Sequence, residues 1–178
     1  MIYFLRHGET YANSSETITG ISDVSLTEKG LKQAYDAKKL FENIHVDVCF
    51  CSPLKRTVDT CNIVCEGKNV EIFLDDRIIA RNYGVYEGVK YSKAHGKMNW
   101  NINVKEDKDI CEPVQDMVAR IFNFLDFLKE NYKDKDVLIV SHSSVGKIIN
   151  CYFNGFPHNG DVFTKIIRNA EIVKYSFK

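Results

Sequence analysis

The hydrophobic pattern of the chain alternates between two kinds of segment. Short, largely apolar runs of the kind found in buried strands lie at 2–5, 46–51, 70–74 and 137–140, and a last strand is predicted over 171–177. Between them, as at 31–41 and 114–128, apolar residues recur three and four positions apart, which is typical of amphipathic helices. This alternation predicts an α/β fold in which a mainly parallel central sheet carries helices on both faces.

No segment of the 178-residue chain has the composition of an interdomain linker, so residues 1–178 are predicted to form a single domain. Lys plus Arg and Asp plus Glu both number 24, and this balance lacks the basic excess that attracts nucleic acid or anionic membranes. No apolar stretch approaches the roughly 20 residues of a membrane span. The apolar run at 1–5 is too short for a signal peptide, and the six cysteines are interpreted as buried thiols. We therefore expect a cytoplasmic protein with no nucleic-acid or membrane partner.

Basic side chains follow three of the predicted strands. Arg6 and His7 come directly after the first strand, Arg56 lies at the start of the helix after the second, and His142 follows the strand at 137–140. Ligands of parallel sheets bind beyond the carboxyl ends of the strands, and guanidinium groups bind phosphate through paired hydrogen bonds. Taken singly, these residues also fit a structural histidine, a surface ion pair and a helix cap. Their convergence on one edge of the sheet favours a phosphate site.

The segments around these residues resemble the motifs of the histidine phosphatase superfamily, in its phosphoglycerate mutase-like branch. The similarity extends through most of the chain and is carried by Arg6-His7-Gly8-Glu9-Thr10, Asn13, Thr19-Gly20, the segment 23–30, Ser52-Pro53-Leu54-Lys55-Arg56-Thr57, Tyr83-Gly84-Val85-Tyr86-Glu87-Gly88 and Val140-Ser141-His142-Ser143-Ser144-Val145. Tyr86 stands where the family usually has tryptophan, and serines 143 and 144 stand where glycines are common.

The resemblance implies a histidine acid-type phosphatase, a phosphomonoesterase acting on a small phosphorylated metabolite. His7 would attack phosphorus and form a phosphohistidine, which water would then hydrolyse to release inorganic phosphate. Arg6, Arg56 and His142 would surround the transferred phosphoryl group. The residues implied to contact the substrate are Asn13, Thr19, Gly20, Tyr83 and Ser143. The arrangement requires no metal and no cofactor.

Ala80 is the departure from the family pattern that affects the chemistry most. The family usually has a glutamate here, four residues before the glycine matched by Gly84, which acts as general acid. Alanine cannot protonate a leaving alkoxide. Three explanations stay open: an engineered Glu→Ala replacement that traps a ligand, a proton supplied instead by Glu87, Glu112 or Glu9, and a natural variant that binds phosphoesters without efficient turnover.

The segment at about 89–112 corresponds to the variable lid that the family places over the leaving group. Its rings and thioether (Tyr91, His95, Met98 and Trp100) suit an apolar or cyclic moiety, and its lysines (Lys90, Lys93 and Lys97) suit a second anion, although a packed insertion without a ligand role is equally compatible. The sequence leaves the substrate and the oligomeric state open.

Two other functions fit the same motifs. One is a phosphoglycerate-type mutase, although family mutases are generally longer than this chain, and its length favours a hydrolase. The other is a non-catalytic phosphoester-binding protein, which Ala80 alone supports.

Overall fold

The computed structural model describes residues 1–94, 96–163 and 166–177 and contains a single five-stranded sheet. Its strands are β1 (Ile2–Arg6), β2 (Val48–Cys51), β3 (Glu71–Leu74), β4 (Val137–Ser141) and β5 (Ile172–Tyr175), in the order β3-β2-β4-β1-β5. All neighbouring pairs are parallel except β1 with β5. The predicted mainly parallel sheet is confirmed, and its antiparallel edge strand is the last one in the chain.

The helices cover the two faces of this sheet. They are α1 (Tyr11–Ser14), α2 (Glu28–Phe41), α3 (Lys55–Cys65), α4 (Tyr91–Ala94), α5 (Val114–Asn131) and α6 (Ser143–Asn154), with short 3₁₀ helices at Asp76–Ile78 and Gly84–Tyr86. One buried cluster joins β1 to α5 and α6, and the other joins β1 to α2 and α3. Phe4 and Leu5, which are neighbours in β1, lie in different clusters because successive strand residues point to opposite faces.

Local chemistry fixes the ends of three helices. The Thr27 hydroxyl accepts a hydrogen bond from the Gly30 amide at 3.0 Å and caps α2. Pro113 precedes α5, and α6 ends at Gly155, whose φ of 86° suits glycine. Among the residues that the structure describes, no helix is both long and apolar enough to cross a membrane.

All six cysteines are free and buried, as the sequence predicts. Three of them form a group that the sequence analysis did not anticipate. The sulfurs of Cys49 on β2 and of Cys61 and Cys65 on α3 lie within 4.8 Å of one another. Hydrogen bonding to Cys61 and Cys65, together with burial, raises the pKa of Cys49 well above its ordinary value, so this side chain is a neutral thiol at neutral pH.

Candidate active site

A cavity of about 600 Å³ opens where β1 and β4 end. Arg6 and Ser141 are paired in the register of these two strands, so the residues that follow them emerge side by side. Nine of the ten predicted site residues line the cavity: Arg6, His7, Asn13, Thr19, Arg56, Ala80, Tyr83, His142 and Ser143. Gly20 does not line it. The fold therefore brings together residues that are more than 130 positions apart in the sequence.

His7 is held in one tautomer by the backbone. Its Nδ1 lies 2.7 Å from the Gly8 carbonyl oxygen, which can only accept a hydrogen bond, so Nδ1 carries the proton and Nε2 carries the lone pair. Burial lowers the pKa of His7 well below its ordinary value, and the charges of Arg6 and Arg56 lower it further. The imidazole is therefore neutral at physiological pH, which is the form that can act as a nucleophile.

Gly8 allows this loop to pack closely against α2. A Cβ atom at this position would lie 2.3 Å from the Gly30 carbonyl oxygen, a distance that no side chain tolerates. The Gly8 amide donates to the Thr60 hydroxyl at 3.1 Å, which ties the loop to α3 as well. His7 is thus mounted on a loop that two helices support.

His142 faces His7 across the cavity, with the ring centroids 5.2 Å apart. Its Nε2 is hydrogen-bonded to the Ser52 hydroxyl at 2.7 Å. Among the described residues, the buried Nδ1 of His142 has no hydrogen-bond partner, and the same is true of Nε of Arg6. Arg6 and His142 both line the cavity, so the unpaired nitrogens belong to side chains that border the space where a ligand would bind.

The two arginines are fixed by backbone carbonyl groups. Arg6 donates to the Ile167 oxygen at 2.7 Å, and Arg56 donates to the Gly20 and Ser22 oxygens at 2.7 and 2.9 Å. Burial lowers the pKa of each arginine to about 10, which leaves both charged at neutral pH. Gly20 therefore positions Arg56 through its carbonyl group.

Asn13 and Asn169 form a hydrogen-bonded pair beside the nucleophile. Asn13 Oδ1 accepts from the Thr10 amide and from Asn169 Nδ2, both at 3.1 Å, so the Asn13 NH₂ group is left to donate elsewhere. Asn169 Nδ2 also lies 3.2 Å from the His7 carbonyl oxygen and lines the cavity. Sequence reasoning missed Asn169, because the segment around it carries no motif and no periodicity.

Ala80 lies on the cavity wall with an exposed fraction of only 2%. None of the carboxylates considered as substitutes lines the cavity. Glu9 forms an ion pair with Lys29 at 2.7 Å, and Glu112 forms one with Arg120 at 2.7 Å. The one carboxylate among the described lining residues is the exposed Glu16, which the sequence analysis did not single out.

Glu87 holds the loop that carries Gly20. Its carboxylate accepts from the Ile21 and Ser22 amides at 2.9 and 3.0 Å and also from the Ser22 hydroxyl. Partial burial acts to raise the pKa of Glu87, but these hydrogen bonds outweigh it and the pKa is lowered. Glu87 is therefore ionised at neutral pH and poorly suited to donate a proton.

Part of the predicted lid segment reaches the cavity. Tyr91, Met98 and Trp100 line it, whereas His95 falls outside the described residues. Lys90 instead donates to the Ser15 carbonyl group. Neither Lys93 nor Lys97 lines the cavity, and Lys97 lines an adjoining cavity of about 370 Å³. Among the residues that the structure describes, the lysine that lines the cavity is Lys147 of α6, which the sequence analysis missed.

The chain is similar in sequence and in fold to several known proteins. Phosphoserine phosphatase 1 of Hydrogenobacter thermophilus is 28% identical over 160 residues, which cover 86% of this chain and 76% of that protein. A protein of Erwinia tasmaniensis named "Probable phosphoglycerate mutase GpmB" is 30% identical over 177 residues, covering 96% of this chain and 82% of its own length. The solved structure of Bacillus stearothermophilus YhfR shares the fold, with a TM-score of 0.85 at 23% identity over 97% of this chain and 90% of that one. Residues 2–178 match the family model of the histidine phosphatase superfamily, branch 1, and the chain belongs to this family.

Proposed function

We propose that this protein is a phosphomonoesterase that acts on a small phosphorylated metabolite through a phosphohistidine at His7. The observation that carries the proposal is the hydrogen bond from His7 Nδ1 to the Gly8 carbonyl group, because it leaves Nε2 as the ring nitrogen with a free lone pair. The neutral ring lines a cavity together with two guanidinium groups. A nucleophile beside fixed cations is the combination that phosphoryl transfer uses.

The reaction proceeds in two displacements. In the first, Nε2 of His7 attacks phosphorus, the P–N bond forms, and the ester P–O bond breaks with its electron pair on the leaving oxygen. In the second, water attacks the phosphohistidine, the P–N bond breaks, and inorganic phosphate departs. Arg6 and Arg56 balance the negative charge on the phosphoryl oxygens throughout. Burial and the charge of Arg56 lower the pKa of His142 well below its ordinary value, so this ring contributes a neutral polar contact to the same group.

Ala80 restricts which esters this chain cleaves quickly. The methyl group cannot protonate a leaving alkoxide. Cleavage of esters with poor leaving groups is therefore slow, because water must supply the proton. Aryl phosphates release a stabilised phenolate and need little protonation. We therefore expect nitrophenyl phosphate to be hydrolysed far faster than an alkyl phosphate.

The second candidate is a phosphoester-binding protein without turnover, and Ala80 is the specific observation that favours it. Rapid mixing with excess nitrophenyl phosphate separates the two functions. The phosphatase proposal predicts a burst of nitrophenolate approaching one per chain, followed by steady release at the rate of phosphohistidine hydrolysis. A His7→Ala variant serves as the control and should show neither phase. Saturable binding of the ester by the wild-type chain, with no release over hours, would contradict the phosphatase proposal and support the binding protein.

A further inference from the structure

Lys147 is a buried cation on the wall of the same cavity. It lies one helical turn after Ser143 on α6 and is only 5% exposed. Its ammonium nitrogen donates to the Ser143 hydroxyl at 3.2 Å and lies 5.2 Å from the ring centroid of Trp100 and 4.5 Å from that of Phe163. Among the residues that the structure describes, no carboxylate lies within ion-pair distance of this nitrogen.

Arg81, a second buried cation in this region, has the polar partners that Lys147 lacks. Arg81 is fully buried and lies 4.8 Å from the Trp100 ring, yet it is ion-paired with Glu106 and also donates to the Glu112 and Asn99 carbonyl groups. Lys147 has one hydroxyl and two ring faces instead. A buried ammonium without a counterion is destabilising, and the two aromatic contacts compensate only in part.

The positive charge of Arg6 adds to the cost of burying the Lys147 ammonium without a counterion. Burial, followed by the charge of Arg6, lowers the pKa of Lys147 to about 8, so the ammonium is still mostly protonated at neutral pH. Among the described residues that line the cavity, three are cations, namely Arg6, Arg56 and Lys147. One lining residue is a carboxylate, the exposed Glu16. An anion entering the cavity near Lys147 would therefore be attracted and would relieve this cost.

The position of Lys147 separates it from the phosphoryl group. It lies five residues beyond His142 along α6, which corresponds to about 7.5 Å of helix rise. The two arginines already match the two charges of a phosphate ester, and Lys147 adds a single charge. One ammonium beside one hydroxyl suits a monoanion rather than a second phosphate.

We propose that Lys147 binds a carboxylate on the leaving group, so that the substrates of this protein are phosphomonoesters that carry a carboxylate. This inference rests on the proposed phosphatase function and adds the substrate class and the residue that selects it. Trp100 and Phe163 hold the ammonium in place, and Ser143 supplies a second polar contact to the same group.

The test compares two ligands that differ at one position. In 3-phosphoglycerate a carboxylate replaces the hydroxymethyl group of glycerol 3-phosphate, and the binding of each to the protein is measured by titration calorimetry beside inorganic phosphate. A hydrogen bond to a charged group contributes about 1.5–3 kcal/mol, so 3-phosphoglycerate should bind roughly 10- to 100-fold more tightly. Lys147→Met, which keeps an unbranched side chain but removes the charge, should reduce this ratio to near one, and Lys147→Arg, which keeps the charge, should retain most of it.

The ratio of the two affinities cancels any general effect of a substitution on the cavity. Equal binding of the two ligands by the wild-type chain, with inorganic phosphate still bound, would overturn the carboxylate assignment and leave the phosphatase proposal standing. A ratio that persists in Lys147→Met would show that another residue reads the carboxylate. Failure of all three ligands to bind would remove the phosphate site itself and both proposals with it.

Discussion

Restoring a carboxyl group at position 80 tests whether the missing acid limits the chemistry. Ala80 is buried on the cavity wall, and the hydrogen bond from the Arg81 amide to the Ser144 hydroxyl at 3.3 Å holds this segment against the start of α6. A glutamate side chain here would extend into the cavity from a fixed backbone. General acid catalysis contributes about 10²–10⁴ in rate, so Ala80→Glu should raise the turnover of an alkyl phosphomonoester by that factor, which corresponds to about 3–5 kcal/mol of barrier.

The choice of substrate and a matched variant make the result specific. Turnover of an alkyl phosphate and of nitrophenyl phosphate is measured by phosphate release, and the gain should be much smaller for the aryl ester. Ala80→Gln has nearly the same shape as Ala80→Glu but no acidic proton, and it should give little gain for either ester. The Ala80→Glu rate on the alkyl ester should fall as pH rises through the pKa of the new carboxyl group, because only its protonated form donates. Equal acceleration of both esters, or by both variants, would refute the role of position 80.

Other residues give predictions that do not depend on position 80. Arg56→Ala and His142→Ala should each weaken the binding of inorganic phosphate or vanadate by roughly 10- to 100-fold in a calorimetric titration, and unchanged affinity in both would remove these side chains from the site. Folding lowers the pKa of Glu87, so its carboxylate stabilises the fold above its unfolded pKa of about 4.3, and that contribution is lost as pH falls through the lower folded value. The free energy of unfolding, measured with urea, should therefore fall more steeply below about pH 5 in the wild-type chain than in Glu87→Gln; parallel curves would contradict the role given to Glu87.

The sheet and the cluster of basic residues could be predicted from sequence because both follow from local pattern. Buried strands are recognisable as apolar runs, and the rule that ligands bind beyond the strand ends places His7, Arg56 and His142 at one edge. The helical patterns predicted at 31–41 and 114–128 lie within α2 and α5, and the contact between Thr27 and Gly30 sets the start of α2. Helices α1 and α4 were not predicted, because four residues are too few to show a periodicity.

Sequence reasoning missed two cavity residues, Lys147 and Asn169, and only Lys147 had a recognisable sequence pattern. Lys147 lies in a segment that is otherwise mostly apolar, and a lysine among Val145, Ile148 and Ile149 indicates a charge that packing must accommodate. Asn169 gave no such signal, because its contacts with His7 and Asn13 span more than 150 positions of sequence. Residues that meet only in the tertiary structure leave no pattern in the local sequence.

The location of the covalent phosphate tests the central claim most directly. The chain is incubated with a radiolabelled aryl phosphate, quenched in alkali, where phosphohistidine survives, and digested for mass spectrometry. His45→Ala is the matched control, because His45 is exposed and pairs with Asp47 at the surface. The account predicts acid-labile phosphate approaching one per chain on the peptide that contains His7, retained in His45→Ala and absent in His7→Ala. Label that persists in His7→Ala, or that maps to another residue in the wild-type chain, would contradict it.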